Sequence, residues 1–429
     1  MNWLNGQSVQ GTILRFSANQ LSHNTLASCA RPHTRAAVAH LLVPWYFGAT
    51  FTALSISPGA FLELPNSHRI PLSWLAANAG ESIRYRTLAE LTPPELLQPE
   101  QLEAASAAAA ESPATLAVIK KQKDTGVWGQ NLLGLAPSAK DGIKEVGTIP
   151  QYRRLAQLGL PEGSRPFKLT DRVLFRLLSR DEDPALLHEY QKLVKAEPTA
   201  GPWARETIRE AATCALAETG HGDDPRVRGA AHRIASAVSS FLRSPLAEKP
   251  FIRAGSSNAL NPEAYPPSWY SVAMVASMPS LQRERAGFAE RLGHYLAQPA
   301  PKKAFVVKMG RRVLKPSHLL LGDPIASDGK GNAKDIPLAL HYIELLARMG
   351  SLQWAPVASK VLARLASQCD EQGVWRPSGL RSLPKATHKI TWHMFPLEHE
   401  SKTFESRSAD VTFRLALIAR LLNWELQYT

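Results

Sequence analysis

Residues 336–368 carry the pattern from which the fold is read: IPLALHYIELLARMG (336–350), a short break SLQWA (351–355), then PVASKVLARLASQ (356–368). The first segment is apolar on almost every side, which suits a helix surrounded by other elements. In the second, Val357, Val361, Leu362 and Leu365 make one apolar stripe, which suits a helix lying against a neighbour.

The same alternation recurs along the chain. Small, apolar helices are expected at 150–160, 203–219, 268–278, 336–349 and 409–422, and amphipathic ones at 168–179, 224–243, 281–298 and 356–368. Taking Pro150, Trp203, Trp269, Ile336 and Asp410 as comparable points, the intervals are 53, 66, 67 and 74 residues, enough for two helices and their loops. Apolar helices alternating with one-sided ones suit an inner layer wrapped by an outer layer. The expected class is therefore all-α, an α/α toroid of about five to six helical hairpins. A small β-hairpin is expected within 304–321, where Phe305, Val306 and Val307 precede Met309-Gly310 and Val313-Leu314 follow.

Two segments share a motif: Gln122-Lys-Asp-Thr-Gly126-Val-Trp128 and, with one extra residue, Gln368-Cys-Asp-Glu-Gln-Gly373-Val-Trp375. They resemble the Gln-Trp repeats of the squalene-cyclase and prenyltransferase-like (terpenoid cyclase-like) superfamily. Trp74-Leu75, the run from Ser82 to Leu88, and Gly222-Asp-Asp-Pro-Arg-Val227 look like phrases of a bacterial branch of that superfamily. The resemblance implies an α/α toroid over about 74–424. It also implies that the glutamine caps an outer helix, the glycine makes the turn and the tryptophan stacks on the glutamine, so that these six residues staple hairpins and touch no substrate. A central cavity for an isoprenoid or other apolar ligand is implied as well.

The family's chemistry is not repeated in the motifs. A triterpene cyclase carries Asp-x-Asp-Asp, because the protonating acid needs acidic neighbours. The nearest runs here, Asp181-Glu-Asp-Pro184 and Asp223-Asp-Pro225, precede outer helices and read as N-caps. No metal-ligand spacing or cofactor motif is identified. Catalytic candidates are His393, Glu398 and Asp410, grouped with His388 and His399 before the last inner helix, where inner-helix starts would line a mouth. Tyr152, Trp269, Tyr270, His341 and Trp392 are candidate ligand-lining aromatics. Arg153, Arg154, Lys334 and Arg414 could take an anionic head group. The alternatives to an isoprenoid protein are a non-catalytic scaffold and a carbohydrate-active toroid, for which Asp335, Glu344, Glu398 and Asp410 are the candidate carboxylates.

At 429 residues, 44% of them hydrophobic, the chain is long enough for a large core, and its apolar runs are too short or interrupted for a membrane span. Cys29, Cys214 and Cys369 are few, odd in number and far apart, which points to a reducing cytoplasm. The net charge of +13 comes from dispersed Lys and Arg without a docking motif, so nucleic acid is not expected, whereas peripheral contact with an anionic membrane fits. No Asp or Glu precedes Glu63, a bias like that of a transit peptide or of a start codon set too far upstream. Residues 1–65 are therefore expected to be a poorly ordered extension, 66–110 N-terminal helices with a linker, and 111–429 the toroid domain.

Overall fold

The computed structural model describes residues 64–137, 145–179, 184–255, 257–398 and 403–429. The expectation for residues 1–63, the Asp181-Glu182-Asp183 run and His399 lie outside them. Among the described residues the chain is mostly helical, with fifteen α-helices and six short strands. Strand β1 (Ser67–Ile70) leads into α1 (Leu72–Asn78), α2 (Glu81–Glu90), α3 (Pro99–Glu111) and α4 (Pro113–Ile119). Then come α5 (Thr148–Gln157), α6 (Arg165–Ser179), α7 (Gln191–Ala196), α8 (Gly201–Glu218) and α9 (Pro225–Leu242). Strands β2 (Phe251–Ala254) and β3 (Ser257–Leu260) precede α10 (Trp269–Ala276), α11 (Pro279–Glu284) and α12 (Ala286–Leu296). Strands β4 (Phe305–Met309) and β5 (Arg312–Leu314), then α13 (Ile336–Arg348), α14 (Pro356–Ala366), α15 (Phe404–Leu421) and β6 (Glu425–Tyr428), complete the chain.

The two helix kinds read from the sequence are both present. Every residue of α10 is buried, and so are Pro337 to Ala347 of α13 and Ser408 to Ala419 of α15. Helices buried on all sides must be enclosed by others. Accordingly α5 packs on α8, α8 on α10, α10 on α13, α13 on α15 and α15 on α2. Arg86 of α2 then reaches Gln157 of α5, Nη1 to Oε1 at 2.7 Å. The amphipathic helices lie against these: α6 on α8, α9 on α8, and α14 on α13, while α12 packs on α9.

Local signals set the helix ends. Asp335 caps α13 by accepting the Leu338 amide at 2.8 Å, and Asp224 caps α9 by accepting the Arg226 amide at 2.9 Å, as read for the Asp-Pro pair. Ser268 and Ser271 form a reciprocal capping box on α10. On α14 the buried stripe is Ala358, Val361, Leu362 and Leu365, whereas Val357 is 39% exposed. Pro356 and Val357 at the start of the helix are exposed, while Ala355 and Ala358 on either side of them are buried. Within 66–110, the stretch 91–110, open in sequence between a flexible connection and short helices, is mostly α3, which packs on α2.

The expected hairpin is present as β4 and β5, joined at Gly310, and it belongs to a larger sheet of order β2-β3-β4-β5. The pairings are antiparallel, parallel and antiparallel in that order. A second, two-stranded sheet pairs β1 with β6 in parallel, Ser67 opposite Glu425 and Ile70 opposite Tyr428. No sequence pattern announced this pairing, because each strand is only four residues long.

Candidate functional site

Polar residues on otherwise apolar helices converge on one cavity of about 320 Å³. On α13, His341, Glu344 and Arg348 stand three and four residues apart and so share a face. Helix α2 contributes Arg86 and Glu90, α5 Gln157, α8 Glu218 and α15 Arg414, and the turn after Thr391 adds His393 and Met394.

The charges are paired. Arg414 donates from Nη1 to Glu344 Oε2 at 2.9 Å and from Nη2 to the Met394 carbonyl at 2.8 Å and Gln157 Oε1 at 3.1 Å. Glu344 Oε1 accepts from Arg348 Nη2 at 2.8 Å, and Arg86 pairs with Glu90 along its own helix. Arg153 of α5 makes a two-pronged bridge to Glu218 of α8, 2.5 and 2.7 Å. Burial alone would raise Glu344, but Arg348, Arg414 and Arg86 outweigh it and hold this carboxyl well below the usual carboxylate range.

The two histidines are neutral. Burial lowers His341 to about 3, and burial together with Arg153 and His341 drives His393 far down. His393 Nδ1 lies 3.0 Å from the Ile390 carbonyl, which can only accept, so Nδ1 carries the proton and Nε2 keeps its lone pair. His341 stacks on Trp269 at 5.4 Å and meets the edge of His393 at 5.3 Å, while its Nε2 is buried without a hydrogen-bond partner.

The sequence candidates divide between this cavity and its supports. His341 and His393 line it, and Trp269 stands behind His341 as its stacking wall. Asp410, completely buried, accepts the Leu397 amide at 2.6 Å and so fixes the loop before α15; its Oδ1 has no hydrogen bond, with Arg414 Nε 3.9 Å away. Burial raises Asp410 against the pull of Arg414. Glu398 accepts the Gly80 amide at 2.6 Å, at the start of α2, and burial pushes it up to about 7. Asp335 holds α13 and the Thr387 and His388 amides, and His388 accepts from the Ile390 amide. Tyr152 gives its hydroxyl proton to Asp171 at 2.5 Å and contacts Thr219. Tyr270 lies under Arg153, and Trp392 under Arg154, whose guanidinium donates to the Trp392 and Pro396 carbonyls. Lys334 is exposed. Of the four proposed head-group cations, then, Arg153, Arg154 and Arg414 are engaged within the protein.

Sequence reading missed Arg86, Glu90, Gln157, Glu218 and Arg348 as site residues. The available signal was the trio His341, Glu344 and Arg348 on one face of a helix that is apolar elsewhere.

The motif turns sit at matching places. Trp128 donates its amide to Thr148 Oγ1 of α5 and Trp375 its amide to Thr412 Oγ1 of α15, each 3.1 Å, so each clasps a largely buried helix. The extra residue of the second motif shifts the register: Gln122 bridges Trp128, but Cys369 rather than Gln368 bridges Trp375. Gln368 is thereby free to accept from Trp375 Nε1 at 3.0 Å, whereas Gln122 reaches away to the Pro166 carbonyl and Thr170 of α6.

Among the described residues, no group of three or more His, Cys, Asp or Glu side chains is arranged to hold a metal ion, and no helix is long and apolar enough to cross a membrane. No family model, curated protein or solved structure matches the chain.

Proposed function

We propose that the described residues form an α/α toroid of about five to six hairpins, related to the squalene-cyclase-like proteins, and that its centre binds a polyhydroxylated small molecule of the carbohydrate class. The toroid reading is supported by the contact order α5, α8, α10, α13, α15, α2, by the return from Arg86 to Gln157, and by the two motif turns on inner helices.

The ligand reading is carried by the lining. The guanidinium groups of Arg86, Arg348 and Arg414, the carboxyl groups of Glu90, Glu218 and Glu344 and the imidazoles of His341 and His393 share the lining, and His341 Nε2 is buried without a hydrogen-bond partner. A wall with balanced donors and acceptors matches hydroxyl groups, which do both. An isoprenoid would gain little there, because apolar surface set against ionised groups forfeits their hydration without replacing it. For catalysis the cavity offers a neutral base at His393 Nε2, while Glu344 is held ionised by its arginines and Glu218 is occupied in its bridge to Arg153. That leaves the centre suited to binding rather than to paired-carboxylate hydrolysis.

The scaffold reading is favoured by one observation: the Arg153–Glu218 and Arg414–Glu344 pairs tie α5 directly to α8 and α15 directly to α13. Thermal melting with millimolar glucose, cellobiose, glucuronate and farnesol separates the readings. A sugar is expected to raise the melting temperature by several degrees, and His341→Ala to abolish the rise. Stabilisation by farnesol alone would restore the isoprenoid reading, and no response to any of the four would leave the network a structural one.

A further inference from the structure

Lysine and arginine are scattered along the sequence, yet folding collects one set of them. Arg253 of β2 and Lys302, Lys303 and Lys315 beside β4 and β5 surround an open groove of about 990 Å³, with Asn258, Phe305 and Val306 among its other walls. The chain from 299 to 322 holds Lys302, Lys303, Lys308, Arg311, Arg312 and Lys315 and no acidic residue. The four groove cations are all exposed. None of them forms an ion pair with a described residue. Like charges held together without carboxylates repel, and a bound anion relieves that repulsion.

We propose that this groove binds a multiply charged anion of the phosphate-ester class. A monocarboxylate would meet one cation and leave three, whereas adjacent phosphates spread charge across the groove. Lysine ammonium groups are compact charges on flexible stems and engage tetrahedral oxyanions from several directions. The anion could be a soluble polyphosphate or the headgroup of a lipid. Two exposed aliphatic side chains bear on that choice: Ile252 on β2 is 44% exposed and Val313 on β5 is 62% exposed, at opposite edges of the sheet. By register Val313 lies opposite Lys308 on β4, so an exposed cation flanks it. By register Ile252 and Val313 share the sheet face of Val306, one wall of the groove, while Arg253 lies on the other face; a bilayer presenting its headgroup from the Val306 side would touch them, and a free phosphate would not.

The test is calorimetric titration with inositol hexakisphosphate, alongside co-sedimentation with phosphatidylcholine vesicles with and without phosphatidylinositol bisphosphate. Binding of the soluble probe assigns the groove to free phosphate esters. Binding to the charged vesicles alone, weakened by Val313→Ser, assigns it to a headgroup. In either case the triple variant Lys302→Glu, Lys303→Glu, Lys315→Glu is expected to lose about a hundredfold in affinity, from roughly a fivefold gain per cation near an anionic surface. A second triple variant, Arg283→Glu, Arg381→Glu, Lys385→Glu, makes the same charge change at exposed positions away from the groove and is expected to lose less than about fivefold. Melting temperatures of both variants verify that they fold. Absence of binding to either probe, or equal loss in the two triple variants, would overturn the proposal, the latter because net charge alone would then explain the attraction.

Discussion

His341 binds its proton far more weakly in the folded chain than free in solution, about 3 against 6.5, because protonation would place a charge in a buried position against Trp269. The unfolded chain therefore takes up a proton below pH 6.5 that the folded chain refuses. The stabilisation is whole above pH 6.5 and drains away as pH falls towards 3, by up to about 1.4 kcal/mol per unit. Glu398 acts in the opposite sense: raised to about 7 from 4.5, it is protonated first in the folded chain, and its contribution is present at low pH and lost as pH rises from 4.5 to 7. Comparison with a variant isolates the histidine. Between pH 7 and pH 5, urea denaturation of His341→Gln is expected to show a smaller stability loss than the parent, by about 2 kcal/mol. Parallel pH curves for the two proteins would show that His341 takes up its proton in the folded state after all.

At the scale of elements, the two Gln-Trp turns depend on their glycines for two reasons. Gly126 and Gly373 have φ of +85° and +90°, and a Cβ on either would come within 2.3 Å of the Leu169 carbonyl oxygen and 2.0 Å of that of Arg69. Gly379 has a similar φ, +79°, with open space around it. Gly379→Ala should therefore cost only the left-handed backbone term, about 1–2 kcal/mol, while Gly373→Ala should cost clearly more, since the turn must also move off β1. Chemical denaturation measures both. Equal losses would mean that the turn yields freely and does not brace β1. The sequence motif announced the turns but not what they brace. The one-residue insertion, visible as spacing, turned out to exchange the hydrogen-bonding role of the glutamine.

Across the whole molecule, β1 and β6 join the beginning of the described chain to its end. Beyond the strand pairing, Ser73 donates its amide to the Thr429 carbonyl, the Thr429 amide to the Ile70 carbonyl, and Thr429 Oγ1 to the Gln372 carbonyl of the second motif turn. Removing residues 425–429 is expected to lower the melting temperature by several degrees and to speed amide hydrogen exchange in α1 and in 370–375. Unchanged melting and exchange would show that the helices hold the ends together unaided.

The sequence by itself announced most of the helices and which of them are buried nearly all round, although the single helix expected at 281–298 is broken at Arg285 into α11 and α12 and α7 was not read. Apolar periodicity, Asp and Ser caps and proline starts act within one or two turns, so they are legible locally. It also marked His341, His393 and Trp269, which the structure groups in and behind one cavity. Only the tertiary structure decided that this cavity is polar. Arg414 meets Glu344 across 70 residues and Gln157 across 257, and Arg86 meets Gln157 across 71. On an enclosed helix charged and apolar residues are buried alike, so periodicity cannot tell which faces meet or whether a buried charge has found its counterpart. That depends on the packing of several inner helices at once, and with it the separation of Asp410 and Glu398, which hold loops, from the histidines that face the cavity.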